Sequence, residues 1–237
     1  MIVRNWRQKV FILAIISCIQ FLILTNIAMF FYPGGTFSDP NTVGYSFFRN
    51  LFSDLGRYIA HSGESNLISF LIYNISLFLM GVLFIPYFIT FPRFFIEKGE
   101  GKGYSIAGSL FGIVVSVSMV GASLTPADLF YIIHVSFGAF KFITLLPLVI
   151  FYTLAILQNK SFPNLYAIIY IIFGIIQFIF LLIMSFGASE HEVSMIFAAG
   201  QNIAVNAMAL CFLIQAYGAW KIQKSSIERL NMLNPNI

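Results

Sequence analysis

Charge is scarce in this chain: Asp, Glu, Lys and Arg make up 9% of its 237 residues, against about a quarter in an ordinary soluble domain. That scarcity excludes a soluble globular fold, because a surface built from these residues would be largely apolar. Cysteine is nearly absent too. Cys18 and Cys211 both lie inside apolar runs and form no CxxC pair, which excludes the usual redox and cysteine-metal motifs and reads both as small core residues. Histidine occurs at 61, 134 and 191 only, with no HxxxH or HExxH spacing, so the ordinary zinc-hydrolase signature is missing. No internal repeat, low-complexity tract or soluble domain is visible.

What the chain has instead is apolar length. Hydrophobic residues account for 59% of it, with 28 Phe and 11 Tyr, and the mean hydropathy is +0.89. A spanning helix needs about 20 mostly apolar residues, and six runs meet that requirement, near 9–31, 66–91, 104–125, 128–156, 164–187 and 193–219. The expected fold is all-α, a polytopic membrane protein forming one six-helix domain over 1–237. Arg4, Arg7 and Lys9 precede the first run, but that run is too long for a signal-peptide core and no small-residue cleavage site follows it, so it counts as a span.

The formal charge of +4 is explained by topology rather than by a nucleic-acid partner. Arg4, Arg7, Lys9, Arg93, Lys98, Lys102, Lys160, Lys221, Lys224 and Arg229 fall on one side of a six-span chain, and only Arg49 and Arg57 on the other. The excess of basic residues predicts cytoplasmic N- and C-termini. Asp39, Asp54, Glu64, Asp128, Glu190 and Glu192 gather on the opposite side.

The longest connection, residues 32–65, is turn-like at PGGTFSDPN and then reads YSFFRNLFSDLGRYIAH. At helical spacing Asn50, Ser53 or Asp54, Arg57 and His61 share one side, which predicts an amphipathic helical segment in the first non-cytoplasmic loop. In SLTPADLFYIIH, Thr125 reads as the N-cap of the fourth span, Pro126 as its first residue and Asp128 as the carboxylate of a capping box. The same helix start could also present its amides to an anionic head group.

Within the fourth span His134 and Lys141 are seven residues apart and share a face, with Gly138 between them. An ionisable group at such depth points into the bundle by default. The sixth span carries a polar stripe through His191, Ser194 or Met195, Ala198, Asn202 and Asn206, with Gln201 beside it; the fifth contributes Gln177, and the second Asn66, Ser69, Tyr73 and Asn74. A pairing of Asn206 with Lys141 fits their depths. Any one Asn or Gln taken alone is accounted for as interhelical glue.

The residues FSDLG (52–56), a mid-membrane Asn74, and VGASLTPADLFYIIH (120–134) resemble signatures of the six-helix DRAM, Frag and Sfk membrane proteins and their prokaryotic relatives. The match puts Ser53, Asp54, Gly56, Gly121, Pro126, Asp128 and His134 on signature positions. It implies six spans and a role in lipid remodelling, phospholipid organisation or autophagy, without a shared reaction. A looser similarity is to alkaline-ceramidase-type hydrolases, which use Ser, Asp and several His around a metal; their close His pair in the final helix is absent here.

The leading expectation is thus a non-enzymatic protein that binds or organises a lipid or small ligand in a polar pocket open to the non-cytoplasmic side. Ser53, Asp54, Arg57 and His61 would close over Asp128, His134, Lys141, Gln177, Asn202 and Asn206. Asp54 could instead pair with His134 or an arginine to pin the loop. The alternative is a lipid hydrolase or transferase with Asp54 and His134 as catalytic candidates and Asp54, His134 and His191 as weak metal candidates. No cofactor is expected. Membrane lipids are the expected partners, with other membrane proteins a further class.

Overall fold

Inside a bilayer no water satisfies a peptide group, so long apolar runs fold into helices whose backbone bonds close within the segment. The computed structural model describes residues 2–160, 162–189 and 192–233. Six of its helices are long and apolar enough to cross a membrane, and the protein is an all-α, multi-pass integral membrane protein. They are α1 (Ile2–Phe31), α2 (Leu67–Thr90), α4 (Lys102–Leu124), α5 (Tyr131–Gln158), α6 (Asn164–Gly187) and α7 (Met195–Leu233), with α3 (Arg93–Ile96) a single turn after α2. A two-residue pairing of Ala188–Ser189 with Glu192–Val193 joins α6 to α7.

The expected runs and the observed helices differ at three ends. α1 starts at Ile2 and α7 continues to Leu233: polar helix turns cost little once outside the apolar core, so the hydropathy boundary is not the helix boundary. The third difference is a correction. α5 begins at Tyr131 with Phe130 before it, whereas Thr125 terminates α4 and Pro126–Phe130 form a turn in which the Pro126 carbonyl accepts from Leu129 and Phe130. The capping box expected at Thr125 does not form, because Asp128 is engaged elsewhere.

The helices pack in a closed ring in the order α1, α2, α4, α5, α6, α7 and back to α1. Six cylinders about 10 Å across, arranged as a regular ring, leave a central space about one helix wide. That space must be filled. At the end carrying both termini it is filled by aromatic rings: Phe91 meets Tyr87 at 5.3 Å, Tyr152 at 4.9 Å and Phe162 at 5.6 Å, and Phe84 meets Phe212 at 5.0 Å. The opposite end is filled by the connection between α1 and α2, whose 3₁₀ turn Phe52–Gly56 packs on α2, α7 and α1. Side chains pointing out of the ring, such as Ile12, Ile16, Ile75 and Ile175, are exposed and apolar, as a lipid-facing surface requires.

Candidate functional site

The α1–α2 connection is a plug built from its own polar groups. Gly35 turns the chain at φ +79, and its carbonyl accepts from Asn50 Nδ2 at 2.8 Å. Asn50 Oδ1 accepts from the Ser46 amide at 2.9 Å, and Asn50 Nδ2 also reaches Asp54 Oδ2 at 3.1 Å. Asp54 caps the 3₁₀ turn backwards, accepting from the Leu51 amide at 2.9 Å, and its other oxygen lies 3.1 Å from His61 Nε2. With only 4% of its surface exposed, this carboxylate is spent on holding the plug together. The surrounding tyrosines record the same environment: burial, then the charge of Asp54, raises the pKa of both Tyr32 and Tyr45.

The scaffold then staples the plug's irregular backbone, which has no ladder of its own. Asn66, the residue preceding α2, donates through Nδ2 to the Leu55 and Arg57 carbonyls at 3.1 and 2.8 Å, and from α2 Ser69 donates to Leu55 at 3.2 Å and Asn74 to Gly56 at 3.3 Å. From α7, Gln201 Oε1 accepts from the Phe52 amide at 2.7 Å, and Asn202 Nδ2 donates to the Phe47 and Asn50 carbonyls at 3.2 and 2.9 Å. Asn202 Oδ1 accepts from the Tyr45 hydroxyl at 2.7 Å. Asp128, in the α4–α5 turn, accepts from the Tyr58 and Ile59 amides at 3.0 and 2.8 Å. The fit is close: a Cβ on Gly56 would lie 2.7 Å from the Tyr73 ring.

Several expectations change accordingly. Residues 45–61 are not an amphipathic surface helix; only Phe52–Gly56 is helical, because the polar groups find scaffold partners that a continuous helix would forgo. Asp54 pairs with His61 and Asn50, not with His134 or an arginine. Arg57 donates to the Ile59 carbonyl at 3.2 Å, and Ser53 makes no side-chain hydrogen bond among the described residues. Asp128 is a latch on the plug rather than a cap of α5. His134 Nδ1 lies 2.7 Å from the Thr125 carbonyl. Asn206 donates to the Asn202 carbonyl at 2.9 Å and makes no bond with Lys141. His191 and Glu190 lie outside the described residues. Among the described residues no three His, Cys, Asp or Glu side chains come together as a metal site, so Asp54 and His134 do not join in one. Cys18 and Cys211 are free and buried.

Unmatched polar atoms occur among the plug's staples, at Asn66 Oδ1 and Asn74 Oδ1, and again beneath the plug. His134, Gly138 and Lys141 lie within about 60° of one another around α5. They sit between Phe137, which packs on Gly121 of α4, and Phe142, which packs on Phe180 of α6 at 4.7 Å. That arc therefore points into the ring. His134 and Lys141 are each 7% exposed, and a Cβ placed on Gly138 would meet nothing within 4 Å. Lys141 Nζ lies 4.2 Å from the Phe142 ring and has no ion pair or hydrogen bond among the described residues. Gln177 donates to the Phe142 carbonyl at 2.7 Å, while its buried Oε1 has no partner. A separate apolar groove of about 360 Å³, lined by Leu146, Val149, Ile150, Ile171, Gly174 and Ile175, lies between α5 and α6 and includes none of these residues.

The polar network at the plug was partly missed from sequence. Tyr45 carried no signal of its own, and Gln201, noted beside the stripe through Asn202, was not among the candidate site residues. The PGG turn was the signal that could have identified Gly35 as the pivot.

The fold defines the class of protein, a multi-pass helical membrane protein with one end of its bundle plugged by its first long connection. No family model matches the chain, and comparisons with curated proteins and with solved structures also give no match.

Proposed function

We propose that the chain is a non-catalytic membrane protein that binds or organises a lipid or small ligand in the polar interior of its bundle, on the non-cytoplasmic side, with both termini cytoplasmic. The orientation rests on the basic residues that flank the terminus-bearing end, Arg7, Lys9, Arg93, Lys98, Lys102 and Lys160 among them. The observation that carries the functional reading is the division between the two sets of polar groups. Asp54, Asp128, Gln201 and Asn202 are committed to the plug, whereas among the described residues the buried Lys141 makes no ion pair or side-chain hydrogen bond and the buried Gln177 Oε1 has no partner. A catalytic use of Asp54 with His134 draws less support, since each is held by its own structural partner.

The likeness to the DRAM, Frag and Sfk proteins belongs to this proposal. What supports it is that two stretches far apart in sequence, FSDLG and the turn containing Asp128, come near each other at the plug, where Asp128 holds the Tyr58 and Ile59 amides just beyond the 3₁₀ turn. Membrane lipids are the proposed partners.

Native mass spectrometry with elemental analysis of the full chain in mild detergent tests the reading. A retained lipid or small molecule without stoichiometric metal is the expected result. A stoichiometric metal lost on Asp54→Asn or His134→Ala would contradict it and favour a lipid hydrolase or transferase, and protein carrying no ligand at all would also contradict it.

A further inference from the structure

Lys141 lies ten residues into α5, about 15 Å along its axis and so near the middle of a hydrocarbon core about 30 Å thick. An ammonium at that depth is unfavourable unless it is paired or reaches water. Neither carboxylate in contact with the plug supplies the pairing: Asp54 is taken by Leu51, Asn50 and His61, and Asp128 by Tyr58 and Ile59. Nor does the stem reach a helix end, because Lys141 is followed by seventeen further residues of α5. Its Nζ lies 4.2 Å from the centre of the Phe142 ring, a weak partner for a full charge.

Three further features sit beside it. Gly138, one turn nearer the plug on the same inward arc, has open space where a side chain would be. His134 is one turn beyond Gly138 and equally buried. Gln177, fully buried, holds an unpartnered Oε1, and it is ten residues from the end of α6, which puts it at about the same depth as Lys141. Asn206, half-buried and about 40° round α7 from Asn202, is eleven residues into that helix, again at about the same depth. The polar layer is therefore formed from three helices at one level below the plug.

Taking the ligand-binding reading as its starting point, we infer that this layer holds an anionic oxygen group, a phosphate or a carboxylate, with Lys141 as its counter-ion and the space at Gly138 as its seat. The group can belong to a lipid whose head enters the ring or to a soluble anion. A bound anion gives the buried ammonium the partner that the described residues do not provide.

Thermal unfolding of the full chain in neutral detergent, titrated with phosphatidylglycerol, phosphatidylcholine or inorganic phosphate, tests the inference. Phosphatidylglycerol should raise the midpoint of the wild type at lower concentration than phosphatidylcholine, and Lys141→Met should weaken that response about tenfold or more, the loss expected for one charge-assisted hydrogen bond. Gly138→Leu keeps the charge and fills the seat, and it should produce the same loss. It decides the matter if Lys141→Met does not fold. A response to phosphate equal to that of phosphatidylglycerol, and lost in the same two variants, supports the site and makes its ligand a soluble anion. Equal responses to both lipids that survive Lys141→Met and Gly138→Leu would overturn the inference and leave the ligand-binding reading intact. A wild type indifferent to all three compounds would overturn both.

Discussion

The two ends of the ring are closed by opposite means. At the terminus-bearing end Phe84, Tyr87, Phe88, Phe91, Tyr152 and Phe212 fill the centre by contact, ring against ring. At the other end a stretch of irregular backbone fills it, and side chains from α2, α7 and the α4–α5 turn satisfy that backbone group by group. The difference shows what each filler demands. A cluster of aromatic side chains brings few polar atoms, the Tyr152 hydroxyl meeting Ser109 and the Tyr87 hydroxyl lying buried without a partner among the described residues, so ring packing carries the closure. Buried loop backbone brings many, and within a membrane each one left unpaired is expensive. The plug end should therefore be sensitive to loss of single polar atoms, and the aromatic end should not.

The strongest test of that contrast is Gly35→Val. Gly35 has φ +79, and a Cβ there would lie 2.1 Å from the Ser62 backbone nitrogen. Strain and clash fall on backbone that cannot swing aside, and a loss of about 4 kcal/mol or more is expected, seen as failure to recover monodisperse protein. Asn202→Leu comes next. It orphans the Phe47 and Asn50 carbonyls and leaves the Tyr45 hydroxyl only its longer bond to the Leu51 carbonyl at 3.4 Å, which predicts about 3 kcal/mol by thermal or denaturant unfolding. A cost below that of a typical exposed substitution would show that the plug does not depend on its staples.

Asp128→Ala removes one acceptor serving two amides at a half-exposed position. About 1–2 kcal/mol is expected, with faster hydrogen exchange confined to Tyr58 and Ile59; unchanged exchange at those amides would show that the latch is not formed in the membrane. The smallest effect belongs to the aromatic end. Tyr152→Phe deletes the hydroxyl that meets Ser109 at 2.7 Å but leaves the ring packing, so the midpoint should fall by the equivalent of about 1 kcal/mol or less. A cost matching that of Asn202→Leu would erase the distinction between the ends.

The six spans were readable from the sequence because hydropathy is a property of each segment alone. The polar partners were not, since each bond at the plug joins residues that only the ring order brings together. Asp128 illustrates the point: Thr125-Pro126-Ala127-Asp128 is a sound local capping signal, yet the amides of Tyr58 and Ile59, distant in sequence, take the carboxylate, and α5 starts later. The helical spacing of Asn50, Asp54, Arg57 and His61 was half informative. Asn50 and Asp54 do meet, and Asp54 does find His61, but through turns rather than along a helix. Lys141 was legible as a buried charge from its depth alone; that no described residue pairs with it needed the structure.

Hydrogen exchange of the wild type in a lipid nanodisc, read at the amides of Leu51, Phe52, Tyr58 and Ile59, tests most directly the claim that this connection is a built plug. These amides donate to Asp54, to Gln201 on α7, and to Asp128 in the α4–α5 turn. The account predicts strong protection at all four, lost at Leu51 and Phe52 in Asn202→Leu. Exchange at the rate of a free loop in the wild type would contradict it.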